Sequence, residues 1–210
     1  YDFDQFPAHV QDTVAFLDDA LPADHPYARV KAMPSGPTAP EVWLLGSSGY
    51  SGSLAAYLGL RFAFANFISA HGGDDVMQAY RAGYRPSIRE PVPQGMLTVF
   101  AICAGTDVEA ERLAAPIDLR RLQMARGFDA PVATTDIALA MDYSPEDRAI
   151  IQRERARAIV GSPTRVRDRI ETLVEAYGAD EVMVITITGD YGARLRSYEL
   201  LAREFALPGA

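Results

Sequence analysis

Residues 41–67 read EVWLLGSSGYSGSLAAYLGLRFAFANF. The apolar run from Glu41 to Leu45 ends at Gly46 and reads as a strand. Gly46 to Ser51 reads as a Gly/Ser loop, and Gly52 to Leu58 as a helix stopped by Gly59. Arg61 to Ile68 is aromatic-rich and strand-like. A strand, a glycine loop, a helix and a further strand form the βαβ unit, which joins parallel neighbours.

The same alternation continues downstream. After a turn at Gly72-Gly73 and a helix from Asp74 to Ala82, Met96 to Ala104 is continuously apolar, as a strand covered on both faces requires. Asp107 to Met124 is the next helix, Ala125 to Ser144 has no clean period, and Pro145-Glu146 opens a charged helix spanning Asp147 to Val160. Ser162 then caps, and Pro163 starts, a helix that runs to Tyr177 and stops at Gly178. Glu181 to Thr188 is a fourth strand and Tyr191 to Phe205 a last helix. Upstream, Val10, Val14, Leu17 and Leu21 recur at helical steps from Pro7. Pro22, Pro26, Pro34, Ser35, Gly36, Pro37 and Pro40 mark a surface connection. Four strands alternating with helices predict an α/β fold with a parallel sheet, either open and doubly wound or part of an eight-stranded barrel.

Composition narrows the function classes. A net charge of -8 opposes non-specific binding to phosphate backbones, so nucleic acid is not expected as a partner. No apolar run is long enough to span a bilayer, and the single cysteine forms neither an internal disulfide nor a zinc cluster. The expected location is the cytoplasm, with no membrane partner. The 210 residues suit one domain.

The loop from Gly46 to Ser53 carries the strongest chemical signal. Lying between a strand and a helix start, it would aim successive backbone N–H groups and a positive helix end at one point, where a phosphate fits. A plain glycine turn with a serine cap explains the same residues. Gly46, Gly49 and Gly52 do not match G-x-G-x-x-G, and Lys31, the only lysine, is far from any Walker pattern. His71 follows the second strand and reads first as a loop residue beside Gly72-Gly73. His9 and His25 have no ligand spacing, and no metal site is expected. Asp190, Thr106 and Asp107 read as helix caps, Cys103 as a small core residue, and Arg153, Arg155, Arg157, Arg165, Arg167 and Arg169 as solvated helix faces.

Taken together, several collinear segments resemble the bacterial-luciferase-like family of flavin-dependent monooxygenases. They are Glu41 to Ser51, Leu54-Ala55-Ala56, Leu58-Gly59-Leu60, Phe62-Ala63-Phe64-Ala65, Tyr80-Arg81, Arg85-Pro86-Ser87, Gly161-Ser162-Pro163, Gly178-Ala179-Asp180-Glu181 and Arg194 to Ala202. The resemblance implies a (β/α)8 TIM-barrel, of which this chain supplies roughly strands five to eight with their helices. It also implies FMN, reduced by a flavin reductase, and molecular oxygen acting on a small organic substrate, commonly in a homodimer. The loop Ser47, Ser48, Gly49, Tyr50 and Ser51 would hold the FMN phosphate, with hydroxyls from Ser48 and Ser51 and N–H groups from Gly49 and Tyr50. Many relatives carry histidine where this chain has Asn66-Phe67, so no catalytic residue is assigned. Residues 125–160 fall where luciferases carry a mobile loop, which implies a lid over the site. The opening Tyr1 lacks a start methionine, which leads us to expect that four more strands precede it. Two rival readings stay open here: a non-catalytic or truncated flavin-binding half-barrel serving as a binding or assembly module, and an unrelated phosphate-binding enzyme on an open sheet.

Overall fold

A computed structural model of the chain describes residues 5–34, 36 and 38–208. The opening Tyr1 to Asp4, and Ser35 and Pro37 of the proline-rich connection, lie outside the described residues.

The sheet is parallel throughout. Strands β1 (Trp43–Gly46), β2 (Arg61–Ala65) and β3 (Gly95–Cys103) pair in chain order. On β3, β5 (Glu181–Ile185) pairs with Met96–Phe100, and the short β4 (Ile159–Gly161) pairs with Ala101–Cys103. The helices are α1 (Phe6–Leu17), α2 (Gly49–Leu58), α3 (Gly73–Ala82), α4 (Asp107–Ala125), α5 (Thr135–Leu139), α6 (Pro145–Arg155), α7 (Pro163–Tyr177) and α8 (Tyr191–Glu204).

Alternation along β3 explains the two layers, because successive side chains leave a strand on opposite faces. Leu97, Val99, Ala101 and Cys103 join Phe62 and Phe64 of β2 in a core closed by α2, α3, α7 and α8. Phe100 and Ile102 face the other way and meet Ala110, Ala114 and Ile117 of α4. Tyr80 sits at the centre of the larger core with no exposed surface, its ring 5.4 Å from that of Phe62. Its hydroxyl lies 2.9 Å from the Leu60 carbonyl and 3.1 Å from that of Gln94, and accepts the Gln94 N–H at 3.2 Å. Gly59, at φ +62°, lets α2 end and turn directly into β2, because a Cβ there would lie 2.5 Å from the Arg85 carbonyl oxygen.

Several expectations from the sequence need correction. The sheet has five strands rather than four: α6 ends at Arg155, and Ile159 and Val160, expected in that helix, are buried in β4. Two β-branched residues are too short a run to announce a strand, and β4 forms because β3 offers an open edge. β2 stops at Ala65, since the Asn66 N–H still reaches Thr98 but Asn66 to Ser69 then turn back onto Phe64 and Ala65. α1 ends at Leu17, leaving Leu21 outside it, and α2 begins at Gly49 rather than Gly52. The stretch without a clean period contains α5, capped by the Thr134 hydroxyl.

Cys103 is a core residue, and burial pushes its thiol up from an ordinary 9.0 to about 11. The folded state therefore resists ionisation that the unfolded chain undergoes freely. This thiol favours folding below 9.0, and that contribution is lost as the pH rises to about 11. Urea midpoints measured across this range should fall with pH, and should fall less steeply in Cys103→Ala.

Candidate functional site

β1 delivers the chain to its carboxyl edge at Gly46, and the loop turns at once into α2. The turn is tight because Ser51 folds back over Gly46: a Cβ on Gly46 would lie 2.1 Å from Ser51 Oγ. Ser48 occupies the N-cap position of α2 in an extended conformation, yet its hydroxyl makes no capping bond. Instead Ser48 Oγ lies 3.1 Å from Ser51 Oγ. The first intrahelical bond is from the Gly52 N–H to the Ser48 carbonyl at 3.3 Å, so the N–H groups of Gly49, Tyr50 and Ser51 have no partner within the helix. No acidic side chain stands in this first turn, and nothing lies within 4 Å of a Cβ built on Gly49.

The result is a cluster of N–H and O–H donors at the positive end of a helix, open to an anion. All five expected residues, Ser47 to Ser51, fall on this one turn. Ser48, Gly49 and Tyr50 are exposed, and Ser47 and Ser51 half-buried.

The other candidates are not gathered here. His71 is exposed in the turn before α3, His9 lies exposed on α1, and His25 stands 3.4 Å from Asp12. Thr106 caps α4 by accepting the Glu109 N–H at 3.2 Å, and Asp190 caps α8 by accepting the Ala193 N–H at 2.7 Å. Asp107 does something else. It takes the Ser162 N–H at 2.7 Å and pairs with Arg165 at 3.3 Å, and the Ser162 contacts hold its carboxyl below the ordinary range. The α7 N-terminus at Gly161-Ser162-Pro163 is thus already occupied by the protein's own carboxylate. Asn66 is buried and donates to the Tyr177 hydroxyl at 3.1 Å. Among the described residues no group of three or more His, Cys, Asp or Glu side chains is placed to hold a metal ion, and no helix is long and apolar enough to cross a membrane.

Arg153, Arg165 and Arg169 lie exposed as expected, and one arginine departs from expectation. Arg155 is no solvated residue: it grips Asp118 with bonds of 2.6 and 2.7 Å and Glu111 at 2.9 Å, in a groove of about 1280 Å³ between α4, α6 and α7. A second cavity, of about 730 Å³, lies where α4 and the end of α6 approach the residues that follow β2 and β5. Arg120 and Arg121 line it, and the sequence reading passed over both, because nothing local distinguishes them from the other arginines of charged helices.

Comparisons with known proteins agree on a family. The family model described as luciferase-like monooxygenase matches residues 1–181. The uncharacterized protein YceB of Bacillus subtilis (strain 168) is 40% identical over 201 residues, 96% of this chain and 61% of YceB. A protein named luciferase-like monooxygenase from Escherichia coli (strain K12) is 32% identical over 199 residues, 95% of this chain and 58% of its own length. The crystal structure of apo-MsnO8 superposes with a TM-score of 0.85 at 36% identity, covering 98% of this chain and 61% of MsnO8. The chain therefore spans about three-fifths of the length of the relatives it matches.

Proposed function

The chain belongs to the luciferase-like monooxygenase family, and from that premise we propose that it supplies the flavin-phosphate end of an FMN-dependent monooxygenase site. The carrying observation is the N-terminus of α2, where the Ser48 hydroxyl is left free of the capping bond that an N-cap serine ordinarily makes. Ser48 and Ser51 would donate their hydroxyls, and Gly49 and Tyr50 their N–H groups, to the phosphate of FMN. The residues fit that group: short donors, no competing carboxylate, and open space over Gly49.

Reduced FMN, when bound, supplies the electrons with which molecular oxygen is split between a small organic substrate and water. The protein's own part is to bind, orient and shield. Ser47 to Ser51 would hold the cofactor's phosphate at the carboxyl end of β1, the edge on which α/β folds place their chemistry. We place the lid that excludes water within residues 125–144, because Arg155 ties α6 to Asp118 of α4 and Ile159 and Val160, the end of the expected segment, are held in β4. Within it α5 is tied down by the fully buried Ala138 and, weakly, by the solvent-exposed Arg112–Asp136 pair at 3.1 Å.

The sheet supports completion by further strands, as a barrel requires. Among the described residues β1 and β5 each pair on one side, and Leu45 of β1 and Met183 of β5 are about half exposed. With β4 a short addition to the end of β3, the strands β1, β2, β3 and β5 would correspond to strands five to eight of a (β/α)8 barrel.

Titration with FMN and with riboflavin tests the reading. FMN should bind at least about tenfold more tightly, since phosphate contacts are charge-assisted. Equal affinities would remove the phosphate site. In Gly46→Ala the new methyl group must displace Ser51, and FMN affinity should drop while riboflavin affinity stays.

A further inference from the structure

The 730 Å³ cavity lies on the same edge as the α2 N-terminus. Phe100, in its wall, pairs with Ile185, the last residue of β5, and stands two residues beyond Thr98, which pairs with the last residue of β2. Phe67 and Ile187, from the segments after β2 and β5, complete that side, and α4 with the end of α6 closes the other. Its volume is that of a site for a small organic molecule.

Charge is unevenly satisfied there. Four guanidinium groups line the cavity, those of Arg120, Arg121, Arg153 and Arg157. Glu154 pairs with Arg153 at 3.3 Å and also with Arg157, and Asp129 pairs with Arg120 at 2.8 Å. Arg121 has no such partner among the described residues. It donates to the Glu154 carbonyl at 3.1 Å and stacks on the Phe100 ring at 4.8 Å. Arg120 Nη1 is buried with no hydrogen-bond partner among the described residues. In a chain of net charge -8, this is a local excess of positive charge with donors to spare.

We propose that the cavity seats an organic anion, Arg121 and Arg120 Nη1 taking its carboxylate or sulfonate head and the wall of Phe67, Ile117, Met124 and Ile187 its carbon chain. Guanidinium presents paired N–H donors that match two oxygens of such a head, which a neutral alcohol or alkane cannot use. Burial, and then the neighbouring Arg157, push the Arg121 guanidinium down to about 10, a cost that a bound oxyanion reverses. As a substrate class this rests on the monooxygenase reading above; the anion contact does not.

Calorimetric titration with hexane-1-sulfonate, hexan-1-ol and inorganic sulfate tests it, with FMN titrated into the same preparation. Hexane-1-sulfonate should bind, and hexan-1-ol and sulfate about tenfold or more weaker, the loss of one charge-assisted contact or of the apolar wall. Arg121→Gln should weaken the sulfonate by about ten- to a hundredfold, and Arg121→Lys should recover part of that. Should Arg121→Gln fold poorly, Met124→Glu places a carboxylate on an already exposed wall position and should lower sulfonate affinity about tenfold. Equal binding of sulfonate and alcohol, equal binding of sulfonate and sulfate, or no effect of Met124→Glu overturns the proposal. FMN binding without sulfonate binding overturns it alone and leaves the flavin reading intact. Sulfonate binding without FMN binding overturns the flavin reading and supports the anion pocket. Competitive displacement of the sulfonate by FMN assigns these arginines to the cofactor and overturns the substrate class.

Discussion

Replacing Ser48 and Ser51 together by alanine should weaken FMN about a hundredfold, the product of two hydrogen bonds to a charged phosphate at roughly 1.5–3 kcal/mol each, less what the backbone N–H groups retain. The fold should hardly notice. An N-cap serine ordinarily contributes about 1 kcal/mol through its bond to the helix, but Ser48 makes no such bond. Its hydroxyl contacts only Ser51, so the double variant removes both ends of one exposed contact and strands nothing. Flavin fluorescence quenching with FMN and with riboflavin checks this: the loss should appear for FMN alone. A parallel loss for riboflavin would mean that the serines shape the loop and do not hold a phosphate.

The largest effect on stability is expected at Tyr80. Tyr80→Ala leaves a cavity beside Phe62 and removes a buried ring, a change that costs about 3–5 kcal/mol. It also strands the Leu60 and Gln94 carbonyls and the Gln94 N–H that the hydroxyl serves. Against a total stability of about 5–15 kcal/mol this is a large fraction, and the urea midpoint should fall by a third or more. Tyr80→Phe keeps the ring and should cost only about 1–2 kcal/mol. Urea denaturation of both variants separates packing from hydrogen bonding.

Where local pattern and tertiary environment agree, the fold was legible in the sequence. Met96 to Ala104 reads as a strand covered on both faces, and β3 is buried along its whole length. Gly59 and Gly178 read as helix stops, and both take the left-handed conformation that ends α2 and α7. What escaped was decided at a distance. Ile159 and Val160 follow a charged helix without a break in pattern, and only the open edge of β3 makes them a strand. α2 starts at Gly49 rather than Gly52 although glycine is a poor helix former, and of the two only Gly52 is buried and held by packing.

The site divides in the same way. Ser47 to Ser51 were visible because a phosphate loop is contiguous in sequence. The arginine cavity was not, because an arginine's charge matters only after its partners are known. Arg155 finds Asp118, 37 positions away, while Arg121 on the same helix as Asp118 finds no carboxylate among the described residues. Spacing along the chain treats the two alike. Asp107 gives a third case, legible as a helix cap but in fact spent on the start of α7, 55 positions on.

The central claim is that the phosphate of FMN sits at the N-terminus of α2. A crystal structure of the protein with FMN bound tests it most directly. The phosphate should lie within hydrogen-bonding distance of the Ser48 and Ser51 hydroxyls and the N–H groups of Gly49 and Tyr50. A phosphate found instead between Arg120 and Arg121, or anywhere away from Ser47 to Ser51, would contradict the account.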